Sequence, residues 1–204
     1  MITVPPATNQ PPTGLIVALH GWGSNAQDLA SLTSLLNLAD YQFCFPDAPF
    51  THPNLSQGWM WYDFQAQKGL GESRQLLTDW LQSLETTTGV PLSRTVLAGF
   101  SQGAAMALDV GLSLPLAGLI ALSGYLHPLQ HLPKSDLLPV LLVHGRQDQV
   151  VPLRAAHEAR DILTRVGATV QYYEFDMGHE IQPPVLGLIR DFIQAVVNRT
   201  SRLL

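Results

Sequence analysis

Short apolar runs alternate with longer amphipathic segments along most of this chain. Six of the runs are rich in β-branched or aromatic residues, which predicts strands. Because the segments between them have helical spacing, the alternation predicts an α/β fold built from βαβ units. Its central sheet is expected to be mostly parallel and flanked by helices on both faces. The six predicted strands cover residues 15–19, 43–45, 95–99, 118–123, 140–145 and 169–175.

Five segments have the apolar spacing of amphipathic helices. The first opens at Asn25, with Asp28 three residues on as a variant of a capping box. The second covers about 72–85, and the others follow Ser101, follow Val150 and close the chain. The residues expected to face the core are Leu29, Leu32 and Leu36 in the first helix, Leu76, Leu77, Trp80, Leu81 and Leu84 in the second, and Ala155, Ala159, Ile162 and Val166 in the fourth.

Length and composition favour one α/β domain over residues 1–204, with no internal repeat. Hydrophobic residues make up 46% and charged residues 13%, a balance typical of strands covered on both faces. A net charge of −5 argues against nucleic acid or an anionic membrane as a partner, since both require a basic surface. The composition leaves the oligomeric state open.

Cysteine usage and the first residues predict a cytoplasmic protein. The single cysteine, Cys44, excludes an internal disulfide and fits a reducing compartment. The start "MITVPPATNQPPTG" has neither the basic head nor the apolar segment of a signal peptide. The longest apolar stretch, about 114–126, is broken by proline and glycine and is too short for a transmembrane helix. We therefore expect a soluble protein without a transmembrane segment.

Candidate chemistry gathers where the predicted strands end, because ligands in open α/β sheets bind beyond the carboxyl ends of the strands. The stretch Gly99-Phe100-Ser101-Gln102-Gly103 has the Gly-x-Ser-x-Gly spacing of a nucleophile elbow between a strand and a helix. Such a turn holds the serine in a strained conformation with its hydroxyl exposed, and side chains at the flanking glycines would collide with neighbouring chain. Ser101 is the predicted nucleophile.

A serine nucleophile requires a base and an orienting carboxylate. His179 and Asp148 follow later strands in the order Ser, Asp, His of an α/β-hydrolase. Asp176 is a rival acid, but it lies three residues before His179, from where its carboxylate would reach the far ring nitrogen poorly. Asp148 has an alternative role as the cap of the helix that begins near Val150. We predict a triad of Ser101, His179 and Asp148.

Two backbone amides are expected to stabilise the oxyanion of acyl transfer. One belongs to Gln102, directly after the nucleophile, and the other to the turn His20-Gly21-Trp22-Gly23, where we favour Trp22. The long irregular stretch 48–71 carries several aromatic residues and is expected to be functional. Its Trp59 and Trp61 are candidates for the wall of an acyl site, and packing of this loop on the sheet is the alternative.

Two other classes of function compete with hydrolysis. Gly21-x-Gly23-x-x-Ala26 imitates a dinucleotide-binding turn, with Asp47 as the residue that would bind a ribose. That interpretation leaves the serine, aspartate and histidine unexplained, and Pro46 directly precedes the aspartate. A binding module with the hydrolase fold but no catalysis is the third possibility. Ester hydrolysis, and no fluorescence response to a nucleotide, would exclude both.

The remaining histidines and the cysteine receive structural roles. His144 reads as a packed core residue and Cys44 as a small buried hydrophobe. No pair of histidines has the spacing of a metal site, so no metal is expected. The other four histidines are expected on loops or on helix surfaces: His52, His127, His131 and His157.

Several motifs together resemble the phospholipase/carboxylesterase family, which includes the acyl-protein thioesterases. They are "LHGWGSN", "GWMWYDF", "GFSQGAAMAL", "LSGYL", "PVLLVHGRQDQVVP" and "YYEFDMGHE", in that order, and the match runs from about Leu15 to Pro183. The resemblance implies an α/β-hydrolase fold without a large cap domain, no cofactor, and hydrolysis of carboxylic esters or thioesters. The substrate is then a small-molecule ester or an acylated molecule.

The resemblance also implies roles for particular residues. The family nucleophile falls on Ser101, the acid on Asp148, the base on His179, and the oxyanion amides on Trp22 and Gln102. Three positions depart from the usual pattern. Trp22 replaces leucine, which would narrow an acyl pocket, Ala104 replaces glycine after the elbow, and His127 replaces proline after "LSGYL".

Overall fold

A computed structural model describes residues 1–129 and 138–201, so His131 lies outside the described residues. The described residues contain nine strands: β1 (Ile2–Val4), β2 (Leu15–Leu19), β3 (Gln42–Phe45), β4 (Phe50–Thr51), β5 (Trp59–Met60), β6 (Thr95–Phe100), β7 (Gly118–Leu122), β8 (Val140–Gly145) and β9 (Val170–Phe175). The described helices are α1 (Ala26–Ala30), α2 (Thr33–Leu36), α3 (Leu70–Thr88), α4 (Gln102–Gly111), α5 (Leu153–Arg165) and α6 (Pro183–Ser201), with a 3₁₀ turn at Leu92–Arg94.

Seven strands form one central sheet in the order β1-β3-β2-β6-β7-β8-β9. All neighbours are parallel except β1, which pairs antiparallel with β3 at the edge. The predicted mostly parallel sheet is therefore confirmed. The antiparallel edge strand was not predicted, because its three residues are only partly buried and form no apolar run.

Helices cover both faces of this sheet, as predicted. Buried residues of α3, α4 and α5 pack in the core on one face. Those of α1, α2 and α6 pack in the core on the other. The described residues include no large cap domain over the sheet. They also contain no helix that combines the length and the hydropathy needed to cross a membrane.

The details of three helices differ from the expectation. The first predicted helix is broken into α1 and α2, and Asp28 accepts a hydrogen bond from the Ser24 hydroxyl rather than completing a capping box. Asn25 does cap α1 through its side chain. In α3 the predicted inward residue Leu76 is exposed. In α5 the buried positions are Ala156, Ala159 and Leu163.

The stretch 48–71 is less irregular than the sequence suggested. Strands β4 and β5 form a small antiparallel hairpin within it, with Phe50 opposite Met60. The hairpin is joined to the turn after β2, because the Gly23 amide donates to the Trp59 carbonyl and the Trp59 amide donates to the Ser24 carbonyl. This places the hairpin beside the carboxyl edge of the sheet.

Candidate active site

Ser101 lies in a sharp turn between β6 and α4. Its φ of 55° and ψ of −120° form a conformation that non-glycine residues rarely adopt. A Cβ on Gly99 would lie 2.2 Å from the Gly103 carbonyl oxygen, and one on Gly103 would lie 2.2 Å from the Leu19 carbonyl oxygen. Only glycine fits at both flanking positions, as the Gly-x-Ser-x-Gly spacing predicts. The turn therefore stores backbone strain at the candidate nucleophile.

The structure brings the three predicted triad residues into one chain of hydrogen bonds. His179 Nε2 lies 2.9 Å from Ser101 Oγ, and His179 Nδ1 lies 2.7 Å from Asp148 Oδ2. A carboxylate can only accept, so Nδ1 carries a proton and Nε2 is left to accept from the serine hydroxyl. This tautomer allows His179 to act as a base toward Ser101.

Asp148 is surrounded by donors. Its Oδ1 accepts from the backbone amides of Val150 at 2.9 Å and Val151 at 2.8 Å. His144 Nε2, which donates to the Val151 carbonyl, lies 3.4 Å from Asp148 Oδ2. Burial alone would raise the pKa of Asp148, but the hydrogen bonds from His179 and from the two amides outweigh it and lower that pKa below its usual value. The carboxylate therefore stays ionised beside the histidine.

The rival carboxylate is turned away from the histidine. Asp176 forms an exposed ion pair with Arg146, with 2.7 Å between Arg146 Nη1 and Asp176 Oδ1. Arg146 also lies 3.1 Å from Glu174. Of the two aspartates considered from the sequence, only Asp148 contacts His179.

Two backbone amides are available beside the serine. The turn after β2 approaches it closely, since a Cβ on Gly21 would lie 3.3 Å from Ser101 Cβ. Gln102 is the first residue of α4, where amides have no partner within the helix. Within the described residues, no carbonyl accepts a hydrogen bond from the amide of Trp22 or of Gln102. Both predicted oxyanion donors are thus free to bind an anionic oxygen.

The three departures from the family pattern have distinct surroundings. The Trp22 indole is half-exposed and packs edge-on against His52, with 4.1 Å between ring centroids. Ala104 is fully buried in α4. His52 and His127 lie on loops, as expected, and the side chains of both are buried. His157 is part of α5 and contacts Glu174.

The two tryptophans proposed for an acyl site differ in exposure. Trp59 is partly buried in the hairpin. Trp61 is 3% exposed, and its indole nitrogen donates to the His20 carbonyl at 2.9 Å. The Trp61 side chain is therefore directed into the protein beneath the turn that carries Trp22.

Sequence reasoning missed a buried polar network next to these residues. The Tyr62 hydroxyl hydrogen-bonds the Tyr125 hydroxyl and lies 2.9 Å from His127 Nε2. His127 Nδ1 lies 3.0 Å from Asp109, which also accepts from Arg74 at 2.5 Å. The network joins the segment after the hairpin, α3, α4 and the segment after β7. The only signal in the sequence is the histidine at position 127, where the family usually has proline.

The residues of the competing functions have structural partners. Asp47 Oδ1 accepts a hydrogen bond from the backbone amide of Ala26 at 2.8 Å, so the carboxylate proposed for a ribose stabilises the start of α1.

Cys44 is buried, and burial raises the pKa of its thiol. Across the described ranges, no group of three or more histidine, cysteine or acidic side chains is placed to hold a metal ion.

Comparisons with known proteins indicate the same class of enzyme as the geometry of the site. The family model described as Phospholipase/Carboxylesterase matches residues 4–197. Acyl-protein thioesterase 1 of Neurospora crassa is 31% identical over 211 residues, covering 89% of this chain and 86% of that protein. The crystal structure of esterase PE8 has a TM-score of 0.84 at 30% identity, covering 96% and 97%. Zea mays acyl-protein thioesterase 2 has a TM-score of 0.78 at 22% identity, covering 96% and 98%, a likeness of fold.

Proposed function

The chain belongs to the phospholipase/carboxylesterase family and is an ester hydrolase, and we propose that it cleaves carboxylic esters or thioesters through an acyl-enzyme on Ser101. One observation carries this proposal. The hydrogen-bonded chain Ser101–His179–Asp148 starts at a strained elbow, where Ser101 has a φ of 55°. The proposed substrates are small-molecule esters and acylated molecules.

In the proposed reaction, His179 Nε2 takes the proton of Ser101 as Oγ attacks the carbonyl carbon. The amides of Trp22 and Gln102 stabilise the oxyanion. His179 then protonates the leaving alcohol or thiol, and the acyl group stays on the serine. Water repeats the cycle and releases the carboxylic acid. Asp148 holds the histidine tautomer and stabilises the imidazolium, and no cofactor takes part.

A fluorophosphonate probe tests the nucleophile. We expect the wild-type protein to be labelled at Ser101 and at no other serine, as mapped by peptide mass spectrometry. Ser101→Ala should lose both the label and the hydrolysis of p-nitrophenyl acetate, a fall of at least about a thousandfold. Labelling at another serine, or full activity of the variant, would refute the assignment.

The same assay separates hydrolysis from the competing functions. A non-catalytic binding module would fail to hydrolyse any simple ester or thioester. A dinucleotide-binding protein would change its tryptophan fluorescence on addition of NAD. We expect hydrolysis and no response to the nucleotide, because Asp47 is engaged with the Ala26 amide.

A further inference from the structure

Trp61 uses its polar groups to join parts of the site that lie far apart in sequence. Its backbone amide donates to the Gln102 side-chain oxygen at 2.9 Å, and its indole nitrogen donates to the His20 carbonyl at 2.9 Å. Its own carbonyl accepts from the Ser73 hydroxyl on α3. The side chain is almost fully buried, so these bonds form away from competing water. One residue thus contacts the neighbours of both proposed oxyanion amides.

On one side of this link, the Gln102 side chain is held at both ends. Its oxygen accepts from Trp61, and its nitrogen donates to the Tyr62 carbonyl at 2.8 Å. The residue is 1% exposed, so the side chain has no alternative partner in solvent. Because both its oxygen and its nitrogen are hydrogen-bonded, the side-chain amide of Gln102 cannot rotate without breaking both hydrogen bonds. The first residue of α4, whose backbone amide is a proposed oxyanion donor, is therefore fixed to the 61–62 segment.

On the other side, the residue that precedes Gly21 and Trp22 is fixed equally firmly. His20 is fully buried, its Nε2 accepts from the Ala48 amide at 3.0 Å, and its Nδ1 donates to the Gly21 carbonyl at 2.8 Å. Burial is the main cause of a lowered pKa at His20, which keeps the ring in this neutral tautomer. The Trp61 indole then anchors the His20 carbonyl.

We propose that Trp61 is a positioning residue for the oxyanion hole, tying the Gln102 side to the Trp22 side. The reasoning is geometric: an oxyanion hole works only when both amides converge on the same oxygen. The Trp22 amide lies in the turn after β2 and the Gln102 amide at the start of α4, and the Gln102–Trp61–His20 bridge links these two segments. This role rests on the proposed function. It differs from the role of a residue that lines an acyl site, which would change the enzyme's preference for acyl chains of different length.

Trp61→Phe tests this role because it keeps an aromatic ring and removes the indole donor to His20. We expect kcat to fall about tenfold to a hundredfold, since small misplacements of catalytic groups have effects of that size. KM should stay within about twofold, and the ratio of kcat/KM between p-nitrophenyl acetate and octanoate should not change. The concentration of active enzyme is set by fluorophosphonate titration, which removes any loss due to misfolding.

A second readout measures the oxyanion hole directly. Ser101 Oγ adds to the carbonyl carbon of a trifluoromethyl ketone as its proton passes to His179 Nε2. A carbon–oxygen bond forms, the carbonyl π bond breaks, and its electron pair stays on the ketone oxygen as the anion that the hole must bind. Its Ki should rise in Trp61→Phe by the same factor by which kcat/KM falls, as for a transition-state analogue. A variant that was merely less stable would keep the wild-type Ki in its active fraction.

Two variants complete the design. Gln102→Ala keeps the backbone amide and removes the other end of the bridge. It should therefore lower kcat in the same way. In the double variant, the loss of activation free energy should be smaller than the sum of the losses in the two single variants. Trp80→Phe, the same substitution at a partly buried tryptophan of α3 that forms none of the hydrogen bonds of the bridge, should leave kcat and Ki unchanged. If Trp61→Phe does not fold, Gln102→Ala carries the test.

Two outcomes would overturn the proposal. Wild-type kcat in both Trp61→Phe and Gln102→Ala would show that the bridge does not position the hole. The ratio of kcat/KM between p-nitrophenyl acetate and octanoate could also change in Trp61→Phe. A change as large as that in Trp59→Ala would assign Trp61 to the acyl site instead. Failure of the proposed function gives a different result, because wild-type protein would then lack labelling at Ser101.

Discussion

At the scale of single residues, Asp148 shows how one side chain can cap a helix and also contact the histidine of the proposed triad. Its Oδ1 accepts the amides of Val150 and Val151, which is the capping role considered from the sequence. Its Oδ2 accepts from His179. A carboxylate has two oxygens, so capping and orientation of the histidine are compatible. The two amides also fix which oxygen faces the histidine.

This arrangement predicts the behaviour of Asp148→Asn. The amides of Val150 and Val151 need an acceptor, so the asparagine oxygen should face them and its NH₂ should face His179. Nδ1 must then accept, and the ring proton moves to Nε2, where it prevents His179 from taking the Ser101 proton. We expect kcat to fall by about 10⁴, as in the corresponding change of the serine-protease triad.

Asp176→Asn is the matched control, because it changes a carboxylate in the histidine loop that contacts Arg146 and not His179. We expect a fall in kcat/KM of about tenfold at most. Both variants are measured with one p-nitrophenyl ester, and thermal melts check that both are folded. A greater loss in Asp176→Asn than in Asp148→Asn would contradict the assignment of the acid.

At the scale of helices and strands, apolar runs predicted the inner strands well, since parallel strands are buried on both faces. The run 140–145 coincides with β8, and 15–19 with β2. The pattern failed where burial is partial. Strand β1 and the β4–β5 hairpin are short and half-exposed, so their residues show neither a continuous run nor a clear alternation.

Strand β9 and helix α5 are joined by a cluster of charges around Glu174. This carboxylate accepts from His157 Nε2 at 2.9 Å, from the Tyr172 hydroxyl at 2.9 Å and from Arg146 Nε at 3.1 Å. The hydrogen bond from His157 contributes most to lowering the pKa of Glu174 to about 2. A depressed pKa means that the ionised form stabilises the folded state above the unfolded pKa, about 4.3, and that this stabilisation is lost as the pH falls to about 2.

Glu174→Gln should therefore lower Tm at pH 7 by about 1–3 °C, the size expected of a solvent-accessible ion-pair cluster. The difference from wild type should shrink between pH 4.3 and 2 and should shrink in high salt. Glu158→Gln, which removes only the exposed pair with Arg154, should change Tm by less. Thermal melts across this pH range provide the measurement, and a difference that persists at pH 2 would contradict the assigned cause.

At the scale of the whole molecule, parallel topology explains why the clustering of the proposed triad residues was predictable. Strands that run in the same direction end at one edge, so Ser101, Asp148 and His179 had to arrive there together. The Gln102–Trp61 bridge was not predictable. Its partners are 41 residues apart, and neither the hydrophobic period nor a motif specifies which side-chain amide meets which backbone group.

The two faces of the sheet are packed unequally. On the face covered by α1, α2 and α6, the sheet and helices border an apolar pocket that is partly open to solvent. Ala18 of β2 and Ala98 of β6 are partners in register, and both line this pocket. Small residues on two central strands, beneath a helix that is broken between α1 and α2, leave space that larger side chains would fill. On the opposite face, α4 packs tightly, and its Ala107 is fully buried.

This asymmetry predicts opposite effects of one substitution. Ala98→Val adds two carbons toward the pocket and suits a strand, so it should stabilise the protein by up to about 1.5 kcal/mol, or about 2–5 °C in Tm. Ala107→Val adds the same carbons to a filled core, where overpacking typically destabilises by about 1–3 kcal/mol. Differential scanning calorimetry of the two variants beside wild type measures both effects. A lower Tm for Ala98→Val would mean that the space beside the paired alanines cannot accept a side chain, and that this face is as tightly packed as the other.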